Sequence, residues 1–127
     1  MDKQFTMLKG KTIIIGITGG IAAYKTAELV RELTKKGASV HVVMTKNAME
    51  FVTPLTFQTI SGNPVIHEMF ELFRGSKIGH IALSDIADQM VIVPATANTI
   101  GKIANGIADD FLTTMVMATT VPILFVP

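Results

Sequence analysis

The chain has 127 residues, 49% of them hydrophobic, which suits one domain with a substantial core. Its formal net charge is +1 and it has no basic stripe interleaved with aromatic residues, so composition gives no indication of nucleic-acid or anionic-membrane binding. The absence of cysteine excludes disulfides, thiolate metal sites and a cysteine nucleophile within these residues. The first residues lack the apolar core of a signal peptide, and no apolar run reaches the roughly 18 residues of a membrane span, so we expect a cytoplasmic protein.

The first half of the chain predicts a strand, a helix and a second strand. Residues 13–17 (IIIGI) are apolar on both faces, which is typical of a buried parallel strand. Glycines in the segment 18–20 end it, and apolar residues then recur at helical spacing until cations and a glycine at 35–37 stop the helix. Residues 40–44 (VHVVM) predict the second strand.

The second half continues the alternation of helix and strand. Its predicted elements are a short helical turn at 48–51, a helix at 54–60 with proline in its first turn, an irregular stretch at 65–79, helical turns at 80–87, a strand at 90–93, helices at 100–104 and 109–118, and a strand at 123–126. This alternation predicts an α/β fold, a three-layer doubly wound parallel sheet of flavodoxin-like or Rossmann-like type.

We expect residues 1–8 to be a tail and residues 9–127 to form the domain. Residues that follow the last strand of such a sheet would line the same edge as the other loops, so we expect the domain to be incomplete at its C-terminus.

A polar segment follows the predicted strand at 90–93. Residues 94–99 (PATANT) would lie at the carboxyl edge of the sheet, where open α/β sheets bind ligands. Thr96, Asn98 and Thr99 supply hydroxyls and an amide that can hydrogen-bond a ring or a phosphate. Capping of the next helix by Thr96 or Asn98 is an equally open interpretation.

A glycine-rich turn lies between the first strand and the first helix, at residues 16–23 (GITGGIAA). Glycines allow a ligand to approach the backbone, and a helix N-terminus offers N–H groups to an anion, so the segment predicts phosphate binding. The pattern is not G-x-G-x-x-G, and the second strand ends in Thr45 and Lys46 rather than in an acid, which favours a mononucleotide over a dinucleotide. A tight turn without a ligand is the alternative.

Two further positions are candidates. Lys46 can pair with a phosphate, and Thr45 or Asn47 can bind a ring or a ribityl chain, although a solvated loop with a helix cap explains them equally well. His80 is a candidate general base because its ordinary pKa lies near neutrality, and a structural histidine is the alternative. No histidine or carboxylate spacing indicates a metal, and a capping role is favoured for Asp109 and Asp110.

Several segments together resemble a known family. The ordered set comprises residues 18–25 (TGGIAAYK), 55–65, 79–83 (GHIAL), 94–99 (PATANT) and 102–110 (KIANGIADD). In this order they resemble the flavin-dependent cysteine decarboxylases, and the resemblance covers nearly the whole chain from Met7. It implies FMN as the cofactor, and decarboxylation of 4′-phosphopantothenoylcysteine to 4′-phosphopantetheine in coenzyme A biosynthesis as the activity.

The resemblance also implies roles for individual residues. The active-site histidine is His80, and FMN is bound by Gly19, Gly20, Ile21, Thr45, Lys46, Asn47, Thr96, Ala97, Asn98 and Thr99. Members are similar in forming homotrimers or larger assemblies with FMN between subunits, which makes residues 53–62 a candidate interface. A further family motif would begin near Pro127. The alternatives are a non-catalytic flavin-binding regulatory subunit, or a related FMN enzyme such as a peptidyl-cysteine decarboxylase or a flavin prenyltransferase.

Overall fold

A parallel sheet forms the centre of the domain. The computed structural model describes residues 7–67, 83 and 85–127, and in these ranges four strands pair in the order β2-β1-β3-β4. They are β1 (Thr12–Ile17), β2 (Ser39–Met44), β3 (Gln89–Ile92) and β4 (Ile123–Phe125). Because β1 lies between β2 and β3, the sheet grows in opposite directions from β1, and the topological switch point lies at the carboxyl ends of β1 and β3.

Helices connect these strands. They are α1 (Ala23–Lys35), a short 3₁₀-helix (Ala48–Glu50), α2 (Pro54–Ser61), α3 (Ala97–Ala104) and α4 (Phe111–Ala118). Helix α2 has proline in its first turn and ends at Gly62, whose φ of 75° is the left-handed conformation that glycine adopts without a steric cost. The predicted alternation of strand and helix is confirmed for the described part of the chain.

Two apolar clusters, one on each face of the sheet, form the core. Ile14 belongs to the cluster that contains Met90 and Leu112 of α4, whereas Ile15 belongs to the cluster that contains Val30 of α1 and Phe57 of α2. All six side chains are almost completely buried. Successive side chains of a strand point to opposite faces, so a strand covered on both faces must be apolar throughout, which explains the run IIIGI.

The start of α3 differs from the prediction. The helix begins at Ala97 rather than near Ile100, so that the polar segment is largely its first turn. Thr96 is the N-cap, and its Oγ1 accepts a hydrogen bond from the backbone N–H of Thr99 at 3.3 Å. The prediction was wrong because the polar residues were assigned to a loop, whereas the threonine hydroxyl satisfies a helix N–H and starts the helix earlier.

Two predicted features lie partly or wholly beyond the described ranges. Most of the irregular stretch at 65–79 and of the helical turns at 80–87, including His80, is outside them.

Leu8 is the last residue of the predicted N-terminal tail. It donates a backbone hydrogen bond to the carbonyl of Lys36 at 2.8 Å and packs against the core. The division at residue 8 stays a prediction.

His41 of β2 makes stability depend on pH. Burial lowers the pKa of His41 below its ordinary value of 6.5, since a partly desolvated imidazolium is disfavoured. The unfolded chain therefore takes up this proton more readily than the folded chain, and the free energy of unfolding falls as pH drops through that value. We expect a His41→Gln variant to lose less stability than the wild type between about pH 7 and about pH 5, measured by chemical denaturation. Parallel pH profiles for the two proteins would contradict this expectation.

Candidate functional site

A cavity of about 340 Å³ opens at the carboxyl edge of the sheet. The segments that follow β1, β2 and β3 all reach it, as parallel strands place their carboxyl ends at one edge. Its lining residues are Gly19, Thr45, Lys46, Asn47, Thr96, Asn98, Thr99, Lys102, Asp109 and Asp110. The three segments singled out in the sequence therefore share one cavity.

Some of the candidate residues are placed elsewhere. Gly20, Ile21 and Ala97 do not line the cavity, and the Ile21 side chain is 79% exposed. His80 lies outside the described residues. The cofactor-binding and catalytic roles of all these residues stay predictions.

The first wall of the cavity is built by close contact between two loops. A Cβ atom placed on Gly19 would lie 2.5 Å from the Cβ of Asn47 and 2.9 Å from its carbonyl carbon. Real Cβ atoms do not approach other atoms this closely, so only glycine lets the turn after β1 pack directly on the backbone after β2. Loop packing therefore requires glycine at position 19, and the role of this glycine in ligand approach stays a prediction.

The segment after β2 divides its polar groups between structure and solvent. Thr45 is buried, its backbone N–H donates to the carbonyl of Ile17 at 3.0 Å, and its Oγ1 accepts from the N–H of Ala48 at 3.2 Å. The side chains of Lys46 and Asn47 are exposed and have no hydrogen-bond or ion-pair partner among the described residues. The capping interpretation is therefore confirmed for Thr45, and ligand binding by Lys46 and Asn47 stays a prediction.

The N-terminus of α3 forms the opposite wall. The hydroxyl of Thr96 donates to Oγ1 of the buried Thr99 at 3.2 Å, so both threonine side chains are held in place. Asn98 is exposed in the first turn of the helix, and its side chain makes no hydrogen bond within the described ranges. The first N–H groups of a helix have no acceptor within the helix and carry partial positive charge, which makes this wall attractive to an anion.

Three charged residues of the cavity were missed as site residues in the sequence. Lys102 lies on α3 four residues after Asn98, and its Nζ is 3.0 Å from Oδ2 and 3.3 Å from Oδ1 of Asp109. Asp110 is the N-cap of α4, where its Oδ1 accepts from the N–H of Thr113 at 2.8 Å, so the predicted capping role is confirmed for this acid. The i, i+4 spacing of Asn98 and Lys102 is the sequence signal that would have found the lysine.

The charges of the cavity are distributed unevenly. The ammonium of Lys102 is neutralised by Asp109, whereas no carboxylate among the described residues pairs with Lys46. Asp110, the second acid of the lining, is hydrogen-bonded at the N-terminus of α4, so the ammonium that has no ion-pair partner among the described residues lies on the β2 side of the cavity. Within the same described ranges, no group of three or more histidine, cysteine or acidic residues is arranged to hold a metal ion, and no helix has the length and apolar character needed to cross a bilayer.

The comparisons with known proteins define the family. Residues 1–127 match the Flavoprotein family, and the chain therefore belongs to it. It is 48% identical over 120 residues to the coenzyme A biosynthesis bifunctional protein CoaBC of Vibrio cholerae, an alignment that covers 94% of this chain and 30% of the relative. The corresponding protein of Bacillus subtilis is 46% identical over 121 residues, with 95% and 30% covered. The chain thus spans 30% of the length of these curated relatives.

Solved structures agree in fold. The FMN-dependent cysteine decarboxylase SpaF superposes with a TM-score of 0.82 at 32% identity, over 91% of this chain and 67% of SpaF. A PPC decarboxylase mutant complexed with pantothenoylaminoethenethiol has a TM-score of 0.71 at 34% identity, over 91% and 65% of the two chains. The predicted flavodoxin-like or Rossmann-like fold and the resemblance to flavin-dependent cysteine decarboxylases are confirmed.

We expect a Gly19→Ala variant to lose about 1–3 kcal/mol of unfolding free energy, because the new methyl group forces the segment after β2 away from the turn after β1. Gly101→Ala in α3 is the matched control, since a Cβ at Gly101 meets no atom within 4 Å and alanine favours a helix by up to about 1 kcal/mol. Chemical denaturation of both variants measures the difference. Equal stability of the two variants would show that the contact between Gly19 and Asn47 is not tight.

Proposed function

We propose that the chain binds FMN in the cavity at the carboxyl edge of the sheet and acts as a decarboxylase of 4′-phosphopantothenoylcysteine in coenzyme A biosynthesis, with 4′-phosphopantetheine as the product. The observation that carries the proposal is the convergence of three segments, after β1, β2 and β3, on one cavity in a chain of the Flavoprotein family. The names of the relatives supply the substrate, since the curated relatives act in coenzyme A biosynthesis and one structural neighbour is a PPC decarboxylase.

The donor set of the cavity fits FMN. Its volume of about 340 Å³ lies in the range of roughly 300–1,000 Å³ that is usual for small-molecule sites. The amides of Asn47 and Asn98 suit the uncharged polar edge of a flavin or its ribityl hydroxyls. The unpaired ammonium of Lys46 and the N-terminus of α3 suit a phosphate.

Different residues of the chain have different roles around this cofactor. Bound FMN supplies the hydride chemistry that makes loss of carbon dioxide from a cysteine carboxylate possible. Lys46 balances negative charge on the ligand, and Asn98 orients it from the first turn of α3. The Lys102–Asp109 pair closes the far wall without adding net charge. By resemblance to the family, His80 moves a proton or orients the thiol and carboxylate of the substrate.

A peptidyl-cysteine substrate is the second candidate. The resemblance to the flavin-dependent cysteine decarboxylases leaves this substrate open, since the cysteine decarboxylase SpaF superposes on the chain at a TM-score of 0.82. We favour the small-molecule substrate because the curated relatives at 48% and 46% identity are coenzyme A biosynthesis proteins. A cytoplasmic location stays a prediction.

We expect the purified chain to bind FMN and to convert 4′-phosphopantothenoylcysteine into 4′-phosphopantetheine with release of carbon dioxide. Flavin absorbance and fluorescence titration measure the first property, and mass spectrometry of the product measures the second. A His80→Asn variant should keep FMN while decarboxylation falls by at least about 10²-fold, which is the size of a general acid–base contribution.

Each outcome bears on a different part of the proposal. A chain that rejects FMN would overturn the proposal as a whole. FMN binding without turnover of 4′-phosphopantothenoylcysteine or of a cysteine-ended peptide would favour a non-catalytic flavin-binding subunit. Turnover of the peptide alone would select the peptidyl-cysteine alternative, and full activity of His80→Asn would make His80 a structural residue.

We further propose a homotrimer or larger homo-oligomer. Ile21, Tyr24, Phe51 and Leu55 are large apolar side chains that are 79%, 58%, 51% and 69% exposed, and such side chains are covered when they form an interface. Tyr24 is on α1 and Leu55 on α2, two helices that pack against each other. Leu55 also lies within the predicted interface at residues 53–62.

Sedimentation analysis tests this part of the proposal. We expect the wild type to sediment as a trimer or larger species and a Leu55→Lys variant to dissociate, because a buried unpaired ammonium is strongly unfavourable at an interface. Met117→Lys is the matched control, since Met117 is another exposed apolar side chain, 44% exposed, on α4 at the other face of the sheet. A monomeric wild type, or equal dissociation of both variants, would contradict the proposed interface.

A further inference from the structure

One buried hydroxyl joins two of the segments that form the cavity. Thr18 follows β1 directly and is 0% exposed. Its Oγ1 donates a hydrogen bond to the carbonyl of Pro94 and accepts one from the backbone N–H of Thr96 at 3.0 Å. The single hydroxyl of Thr18 thus spans the topological switch point between β1 and β3.

The backbone around Pro94 depends on this hydroxyl. Pro94 has no N–H, and the N–H of Ala95 donates to the carbonyl of Val126 at 2.8 Å, on the β4 side. The N–H of Thr96 has Oγ1 of Thr18 as its acceptor, on the β1 side. The segment is therefore hydrogen-bonded on both sides, and Thr18 fixes the position of Thr96, the residue that caps α3.

The position of Thr96 in turn sets the position of the α3 N-terminus. Thr96 caps α3 through Thr99, and both line the cavity together with Asn98. Replacing the Thr18 hydroxyl by a methyl group leaves the carbonyl of Pro94 with the backbone N–H of Thr18 as a donor, at 3.4 Å, and leaves the part-buried N–H of Thr96 without its acceptor. An N–H that loses its acceptor away from bulk water is costly, so we expect the first turn of α3 to move.

We propose that Thr18 is a positioning residue for the ligand of this cavity. It does not line the cavity itself, and it acts by holding Thr96, and with it the first turn of α3, at a defined distance from the turn after β1. The inference rests on the proposed binding of FMN for its effect on affinity, but the hydrogen bond between Thr18 and Thr96 can be tested without a ligand.

Thr26 provides a matched control. Its side chain is 2% exposed, and its Oγ1 donates to the carbonyl of Val93 at 3.0 Å, one residue before Pro94. Thr26 therefore offers the same chemistry, a buried threonine hydroxyl on the backbone that follows β3, but it makes no contact with the N–H of Thr96. Thr26→Val removes a buried hydroxyl without releasing the cap of α3.

The experiment compares Thr18→Val, Thr18→Ser and Thr26→Val with the wild type. FMN dissociation constants come from fluorescence titration, and the visible circular dichroism of bound FMN reports its surroundings. Thr18→Val should raise the dissociation constant about tenfold or more, the effect of one lost hydrogen bond, and change the dichroism, whereas Thr18→Ser, which keeps the hydroxyl, should restore both. Thr26→Val should lower Tm but change the dissociation constant by less than about threefold.

Amide hydrogen exchange in the free protein tests the hydrogen bond between Thr18 and Thr96 without a ligand. Exchange at Thr96 should accelerate in Thr18→Val and remain at the wild-type rate in Thr26→Val. Equal exchange at Thr96 in both valine variants, or an unchanged FMN affinity in Thr18→Val, would overturn the positioning role. A wild type that rejects FMN would overturn the proposed function instead, and the exchange rates would still decide whether Thr18 holds Thr96.

Discussion

The central constraint of this structure is that β1 is paired on both of its edges and covered on both of its faces. Residues of β1 pair with β2 from Thr12 to Ile17 and with β3 from Ile13 to Gly16. Ile14 and Ile15, neighbours in sequence, are both 0% exposed because each faces a different apolar cluster. A strand held in this way has no freedom to slip, so the residues that follow it leave the sheet at a defined point between the ends of β2 and β3.

The cavity is a consequence of that exit point. The turn after β1 passes between two neighbouring segments and contacts both, through Gly19 against Asn47 on one side and through Thr18 on Thr96 on the other. One contact depends on the lack of a side chain and the other on a buried hydroxyl. The rigid core thus ends in three segments whose separations are set by backbone packing, which is the preorganisation that a binding site requires.

The polar groups of the site are divided between structural and available ones. Thr45, Thr96 and Asp110 satisfy N–H groups at the starts of helical segments, so their side chains stabilise the walls of the cavity. Lys46 and Asn98 have no such task within the described ranges and face the cavity. Asp109 neutralises Lys102, and Asp110 is hydrogen-bonded at the N-terminus of α4. The ammonium of Lys46 and the N-terminus of α3 are therefore the positive groups that favour a ligand with an anionic group at one end.

The sequence by itself determined the α/β alternation, the parallel sheet and the segments that meet at its carboxyl edge, because the buried strands must be apolar and glycine or proline must interrupt them. It left open whether Thr96 caps a helix or binds a ligand, and it placed the start of α3 three residues too late. Only the tertiary structure decided that Lys102 and Asp109 pair at the cavity and that Thr18 holds Thr96 across 78 positions of sequence. These contacts join separate elements, and their geometry depends on how the helices pack on the sheet, which no local pattern of residues encodes.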